Sequence, residues 1–231
     1  MKIIYTTLVL FAAASLLAVV GVRILTPLSA HPLLVSELPA LPDLTIDSNR
    51  LQTSIVFKTQ VIKSTDCAFV ELCVTGTGKR KLMKFDVAIP NIGTADLVLG
   101  DPTALENDGI FQLSSCHGHY HLIGFASYEL LNASGTTILT GRKQAFCLED
   151  YTKVVSTAAT AKYTCSNQGI QVGWSDVYSS YLDCQWLDVT DIPAGNYRLK
   201  VTVNATPSLS PKLTESNYFN NTANVPVTIK K

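Results

Sequence analysis

The stretch Asn196–Asn204, NYRLKVTVN, alternates apolar and polar side chains along its whole length. Successive side chains of a strand point to opposite faces. Tyr197, Leu199, Val201 and Val203 therefore share one side, and Arg198, Lys200 and Thr202 the other. A helix would scatter these residues around its circumference. The segment is entered from DIPAGN (191–196), whose Pro, Gly and Asn are turn residues. Strand patterns of the same kind occur in SIVFKTQVI (54–62), KLMKFDVAI (81–89) and ASYELLN (126–132), with NIGTAD (91–96) and NASGTT (132–137) as turns. No long helical stripe or internal repeat interrupts them, and only LENDGIFQL (105–113) and STAATAKYT (156–164) favour a helical turn or two. The expected fold is mainly β: a single β-sandwich-like domain of two packed antiparallel sheets, with long loops and little helix.

Length and charge bound what this domain does. The 231 residues suffice for one ordinary domain with a substantial core, and the formal net charge is zero. No basic footprint points to nucleic acid. Lys79-Arg80-Lys81 and Lys230-Lys231 read as solvated turns or tails. The N-terminus differs. Lys2 precedes an apolar run from Ile3 to Val22, followed by Arg23, Pro27 and small residues at Ser29-Ala30. A signal peptide has an apolar core of roughly 7–15 residues, whereas a membrane span needs about 20. Residues 1–30 therefore read as a cleaved signal peptide or as an uncleaved signal anchor. Either reading puts the domain outside the cytosol, secreted or tethered through that segment. Residues 31–42, with three prolines, read as a linker, and 43–231 as the functional domain.

Cysteine usage agrees with export. Six cysteines, Cys67, Cys73, Cys116, Cys147, Cys165 and Cys184, form an even set without a CxxC pair. In an oxidising compartment they read as up to three disulfides whose connectivity the sequence alone leaves open. Sequons at Asn132, Asn204 and Asn220 fit the same compartment.

The chemistry concentrates in SSCHGHYH (114–121), which holds three of the four histidines. On a strand, His117, His119 and His121 share one face, with the outer two about 13 Å apart along it. They meet at one metal only if the chain bends between them, and Gly118 permits that. Three imidazoles suit copper, zinc or iron, and three nitrogen ligands leave a coordination position open, as catalytic sites do. Cys116 faces the other way and reads as a disulfide partner. A cupin-type site would need a Glu shortly after its HxH pair, but the first acid after His121 is Glu129.

SCHGHYH, GRKQAFCLED (141–150), DVYSSYLDCQWLDVTDIPAGNYRLKV (176–201) and TESNYFNN (214–221) resemble, in order and spacing, the catalytic domain of the lysyl oxidase family. PDLTID (42–47) and CAFVELC (67–73) extend the resemblance over roughly residues 43–231, all of the expected domain. It implies an exported copper-dependent amine oxidase that converts primary amines, in peptidyl lysine or small molecules, to aldehydes. Dioxygen is consumed, and hydrogen peroxide and ammonia are released. It implies His117, His119 and His121 as copper ligands, and a lysyl tyrosylquinone cofactor built from Lys143 and Tyr178. Asp176 is a candidate general base, and Tyr181 and Tyr120 are the other phenols to test. A reading from another class is a copper-binding or matrix-interaction module without the quinone.

The resemblance also implies the disulfides Cys67–Cys116, Cys73–Cys184 and Cys147–Cys165. A further bridge of animal members would need cysteines near Lys153 and Trp174, and both are absent. A structural calcium is implied between the domain's ends, at Asp43, the Leu44 carbonyl, Glu215, Asn217, Asn220 and Asn221. Asn217 stands where the family usually has Asp, which removes a negative charge from a site that prefers hard oxygen ligands.

Overall fold

The alternating stretch at 196–204 lies at the heart of the largest sheet. In the computed structural model, which describes residues 39–104, 109–141, 147–204 and 213–231, the chain begins with α1 (Ser48–Thr53), β1 (Val56–Ile62) and α2 (Cys67–Val70). It continues through β2 (Gly78–Lys84), β3 (Val87–Pro90), β4 (Leu97–Gly100), β5 (Phe111–Leu113), β6 (Tyr120–Leu122), β7 (Ala126–Leu131) and β8 (Thr137–Thr140). It ends with β9 (Thr152–Lys153), β10 (Gln168–Ile170), β11 (Trp174–Tyr178), β12 (Trp186–Asp188), β13 (Gly195–Val203) and β14 (Thr222–Ile229). The signal or anchor segment (1–30), residues 31–38 of the linker and Lys143 lie outside the described residues. No helix among the described residues is long and apolar enough to cross a membrane.

β13 is flanked by β14 and β7, in the sheet order β14-β13-β7-β8. Leu199, Val201 and Val203 are fully buried, each removal from water contributing about 1.5–3 kcal/mol. β14 alternates strictly, with Ala223, Val225, Val227 and Ile229 inward. Pro226 is tolerated because β14 is an edge strand, where the missing N–H breaks no interior ladder. The inward faces join one large core that includes Leu44, Phe85, Leu122, Tyr128, Leu148 and Tyr178. Phe85 meets Tyr128 edge-on, with centroids 5.1 Å apart.

The mainly β, disulfide-stapled expectation holds, with a finer division of the sheets. Among the described residues the strands form five small antiparallel sheets: β1-β2-β12, β10-β4, β3-β11-β9, β14-β13-β7-β8 and β5-β6. KLMKFDVAI is two strands in two sheets, because the chain turns a corner at Phe85-Asp86. There Asp86 accepts from Ser180 N at 2.7 Å and from Arg50 Nε at 3.1 Å, while its own N–H donates to Ser54 Oγ. The segment 156–164 forms no helix and only one turn, closed by Ala158 N donating to Val155 O at 2.9 Å. Its carbonyls are taken by side chains instead: Ala158 by Lys153 Nζ, Ala159 by Trp174 Nε1 and Thr160 by Gln171 Nε2. In 105–113, residues 111–113 form β5, and 105–108 lie outside the described residues. The helices sit elsewhere, α1 being capped by the Asp47 carboxylate, which accepts from Arg50 N.

The disulfides are Cys67–Cys116, Cys73–Cys184 and Cys147–Cys165, the pairing implied by the resemblance. Two of them clamp α2 against the rest of the domain. A small second core of Ile62, Val74, Leu82 and Trp186 packs around this clamp.

Candidate metal and cofactor site

The three histidines do not share a strand. Only His121 lies in β6; His117, Gly118 and His119 belong to the loop that returns the chain from β5 to β6. Gly118 adopts φ +70°, a left-handed conformation that costs any other residue about 1–2 kcal/mol. The turn is closed by Gly118 N donating to Ser114 O at 2.9 Å and Ser114 N donating to His119 O at 3.0 Å. The bend that a straight strand would have needed is thus a tight loop. It brings the ring centroids to 5.8 Å (117–119), 5.3 Å (117–121) and 4.9 Å (119–121).

One ligand atom from each histidine lies within 4.8 Å of the other two. Nitrogens bound to one metal at about 2.0–2.1 Å sit roughly 3.3 Å apart, so modest rotations of the rings complete the set. His119 also lies near Cys147 and Cys165, and Glu71 near Cys73 and Cys184. Those sulfurs are in disulfides and offer no thiolate. Among the described residues the donor set suited to a metal is therefore His117, His119 and His121.

A pocket of about 280 Å³ opens beside them, lined also by Glu149, Asp176, Tyr178, Tyr181 and Asp183. Asp176 and Tyr178 are two residues apart on β11, so both face the pocket. Tyr178 is 3% exposed, and its hydroxyl donates to the Cys147 carbonyl at 3.5 Å. Burial, reinforced by the neighbouring Asp176 carboxyl, pushes the Tyr178 phenol well above its usual range. Burial likewise pushes Asp176 well above the usual carboxylate range, although the Tyr178 hydroxyl and the Val177 N–H favour its charged form. Glu149 is raised by burial and then by Asp150.

Tyr181 stands at the pocket mouth, 69% exposed, its hydroxyl 3.3 Å from that of Tyr151. Tyr120 alternates away from the histidines and packs on the main core. Three groups escaped the sequence reading. Glu149 sits in the quoted GRKQAFCLED but has no spacing that singles it out. Tyr151 is one of nine tyrosines and is brought to the mouth only by the fold. Glu71 lies within CAFVELC, and only the disulfides of Cys67 and Cys73 bring it beside His117.

The residues of the implied calcium site also come together. Leu44 N donates to Glu215 Oε2 at 2.6 Å, Asn220 Nδ2 to Asp43 Oδ1 at 2.8 Å, and Asn221 Nδ2 to Glu215 Oε1. Buried Asn220 Oδ1 and Asn221 Oδ1 have no hydrogen-bond partner among the described residues. Asn217 instead uses its Oδ1 to accept from Phe219 N at 2.9 Å. The sequon amide of Asn204 is spent on Leu213 O and Glu215 Oε1.

Residues 42–231 match the sequence family described as lysyl oxidase. The chain belongs to the lysyl oxidase family. It is 36% identical over 194 residues to lysyl oxidase homolog 1 of Homo sapiens, covering 78% of this chain and 32% of that protein. It is 35% identical over 191 residues to lysyl oxidase homolog 3B of Danio rerio, covering 78% of this chain and 22% of that protein. With lysyl oxidase homolog 2 of Xenopus tropicalis the identity is 34% over 199 residues, 81% of this chain and 24% of that protein. The chain thus spans about a fifth to a third of the length of these relatives.

Within this lysyl oxidase domain, Lys153 and Trp174 are direct cross-strand partners of β9 and β11. The Lys153 ammonium lies 5.4 Å from the Trp174 ring centroid, a cation–π contact where the resemblance would have put a disulfide.

Proposed function

We propose that this chain is an exported copper-dependent amine oxidase that converts primary amines, peptidyl lysine or small amines, to aldehydes with release of hydrogen peroxide and ammonia. The observation that carries the reading is one pocket shared by three metal-competent imidazoles and a buried phenol, Tyr178. His117, His119 and His121 would hold copper, and Lys143 with Tyr178 would form lysyl tyrosylquinone. Those groups supply a redox-active metal and an electrophilic carbonyl that accepts electrons from an amine.

The remaining roles fall to side chains of the pocket. Cys147 lines it, and Lys143 is four residues earlier, a tether of at most about 14 Å. The Cys147–Cys165 disulfide holds Cys147, the described end of that tether, at the pocket wall. Hydrogen bonding to the Cys147 carbonyl fixes the Tyr178 ring. Glu149 and Asp183 give the pocket acidic walls, which draw in an ammonium substrate. Asp176 is the candidate base for the substrate's α-proton, and its burial raises its affinity for protons above that of an ordinary carboxylate, the direction a general base requires.

Export is supported by the full pairing of the described cysteines and by the basic start and apolar run of residues 1–30. Calcium between the domain's ends belongs to the same reading, with Asp43, the Leu44 carbonyl, Glu215, Asn217, Asn220 and Asn221 as ligands. The two buried amide oxygens without partners support it. Chelation by EGTA is then expected to lower Tm, and an unchanged Tm removes the calcium.

The activity is tested by amine-dependent peroxide release from purified, copper-loaded protein. Wild type is expected to be active, Lys143→Ala to keep copper but lose peroxide release, and His119→Ala to lose both. Peroxide release by Lys143→Ala at the wild-type rate removes the quinone. Copper uptake by wild type without any peroxide release leaves a copper-binding module in its place.

A further inference from the structure

We infer that Glu71 is a positioning residue for the metal ligand His117, its carboxylate holding the Nδ1 side of the imidazole so that Nε2 faces the metal. The inference rests on the three-histidine metal site proposed above, and it gives a role to an acid that the oxidase chemistry leaves unused.

Glu71 reaches His117 by two routes. Its Oε2 lies 3.8 Å from His117 Nδ1, with the two side chains only 11% and 22% exposed. A movement of about 1 Å closes that separation to a hydrogen bond. Its Oε1 accepts from the Ser114 hydroxyl at 2.5 Å, and Ser114 Oγ in turn accepts from the His117 backbone N–H at 3.1 Å. One carboxylate thus addresses both the ring and the main chain of the same histidine.

The mounting is covalent. Glu71 caps the C-terminal end of α2, between Cys67 and Cys73. Cys67 is bonded to Cys116, the residue before His117, and Cys73 is bonded to Cys184. The acid and the histidine are therefore carried on the two sides of one disulfide, whose Cα atoms are 5.8 Å apart.

The chemistry follows from the imidazole's two nitrogens. A neutral ring carries one N–H, and an acceptor beside Nδ1 keeps it there. The Nε2 lone pair is then free for a metal. Burying a carboxylate costs several kcal/mol unless it is partnered, so Glu71 is an expensive residue to retain for packing alone.

The test uses the full purified chain, stripped of metal and titrated with Cu(II) against a competing chelator, with the electron paramagnetic resonance spectrum of the bound copper as second readout. Glu71→Ala is expected to weaken copper about 10–100-fold and to shift the spectrum. Glu71→Gln keeps the volume and an oxygen acceptor for Ser114 and loses only the charge, so it is expected to fold and to weaken copper about tenfold. Ser114→Ala cuts the main-chain route, leaves the carboxylate on the ring and is expected to stay within about twofold of wild type. Glu71 variants with wild-type affinity and spectrum overturn the inference, as does Ser114→Ala losing as much as Glu71→Ala. If Glu71→Ala does not fold, Glu71→Gln decides alone. A wild-type chain that binds no copper overturns the three-histidine site together with this inference, whereas wild-type binding with an unaffected Glu71→Gln overturns the inference only.

Discussion

The sheet β14-β13-β7-β8 and the histidine hairpin β5-β6 are both antiparallel, but different forces hold them. In the sheet, β13 and β14 pair over eight positions, and their alternation buries one continuous apolar face. The hairpin pairs over only three positions. Its loop depends on Gly118, on Ser114 and Glu71, and on the disulfide from Cys116 to Cys67. The sheet is specified by repetition, which a sequence displays. The site is specified by single residues, some with a partner far along the chain, as Ser114 with Glu71 and Cys116 with Cys67. Damage to the sheet should therefore cost stability, and damage to the hairpin should cost metal binding out of proportion to stability.

The largest effect on stability is expected from Leu199→Ala, in the fully buried middle of β13. Such truncations cost about 2–5 kcal/mol. Thermal or urea unfolding should show the loss, while the copper affinity of the folded fraction stays near wild type. A matching fall in copper affinity contradicts the division of labour. The double variant Cys67→Ala/Cys116→Ala removes a bridge whose loss costs about 2–4 kcal/mol, a similar or slightly smaller amount. Here copper affinity should fall as well, because His117 loses its anchor. Equal affinity in this variant and in Leu199→Ala erases the contrast.

Gly118→Ala comes next. A Cβ there meets no neighbour, so only the left-handed backbone opposes it, at about 1–2 kcal/mol. If the loop relaxes to relieve that strain, the three imidazoles separate and copper weakens while the sheet's amide protection is untouched. Unchanged copper affinity would mean that the loop is held by its other ties. The smallest effect belongs to Lys153→Ala, which removes an exposed cation–π contact of about 0.5–1 kcal/mol that belongs to neither region. A Tm change of a few degrees with normal copper binding is expected, and a loss of metal would show that β9 supports the site.

The same contrast explains what could be read from the sequence. Tyr197 to Val203 declared a strand because a single period fits nothing else. The corner at Phe85-Asp86 was hidden, because KLMKFDVAI keeps its apolar character across a change of sheet and the tie to Ser180 is 94 residues away. α1 was overlooked although Asp47 is a good cap, its six residues being too short for a helical stripe. At the site, the residue types of His117, His119 and His121 were legible as ligands, but their shared strand was not real. Gly118 pointed to a bend without showing that the bend was a whole loop. Tyr178 had no signal of its own and emerged only through the family resemblance. Glu71 became visible only when two disulfides had folded its helix under the histidines.

The central claim, that this pocket turns Lys143 and Tyr178 into one cofactor, is tested most directly by peptide mass analysis of copper-loaded wild-type protein. The account predicts a crosslinked species containing both residues, with a quinone absorbance that phenylhydrazine abolishes. Recovery of Lys143 and Tyr178 in separate, unmodified peptides from copper-loaded protein, without that absorbance, would contradict it.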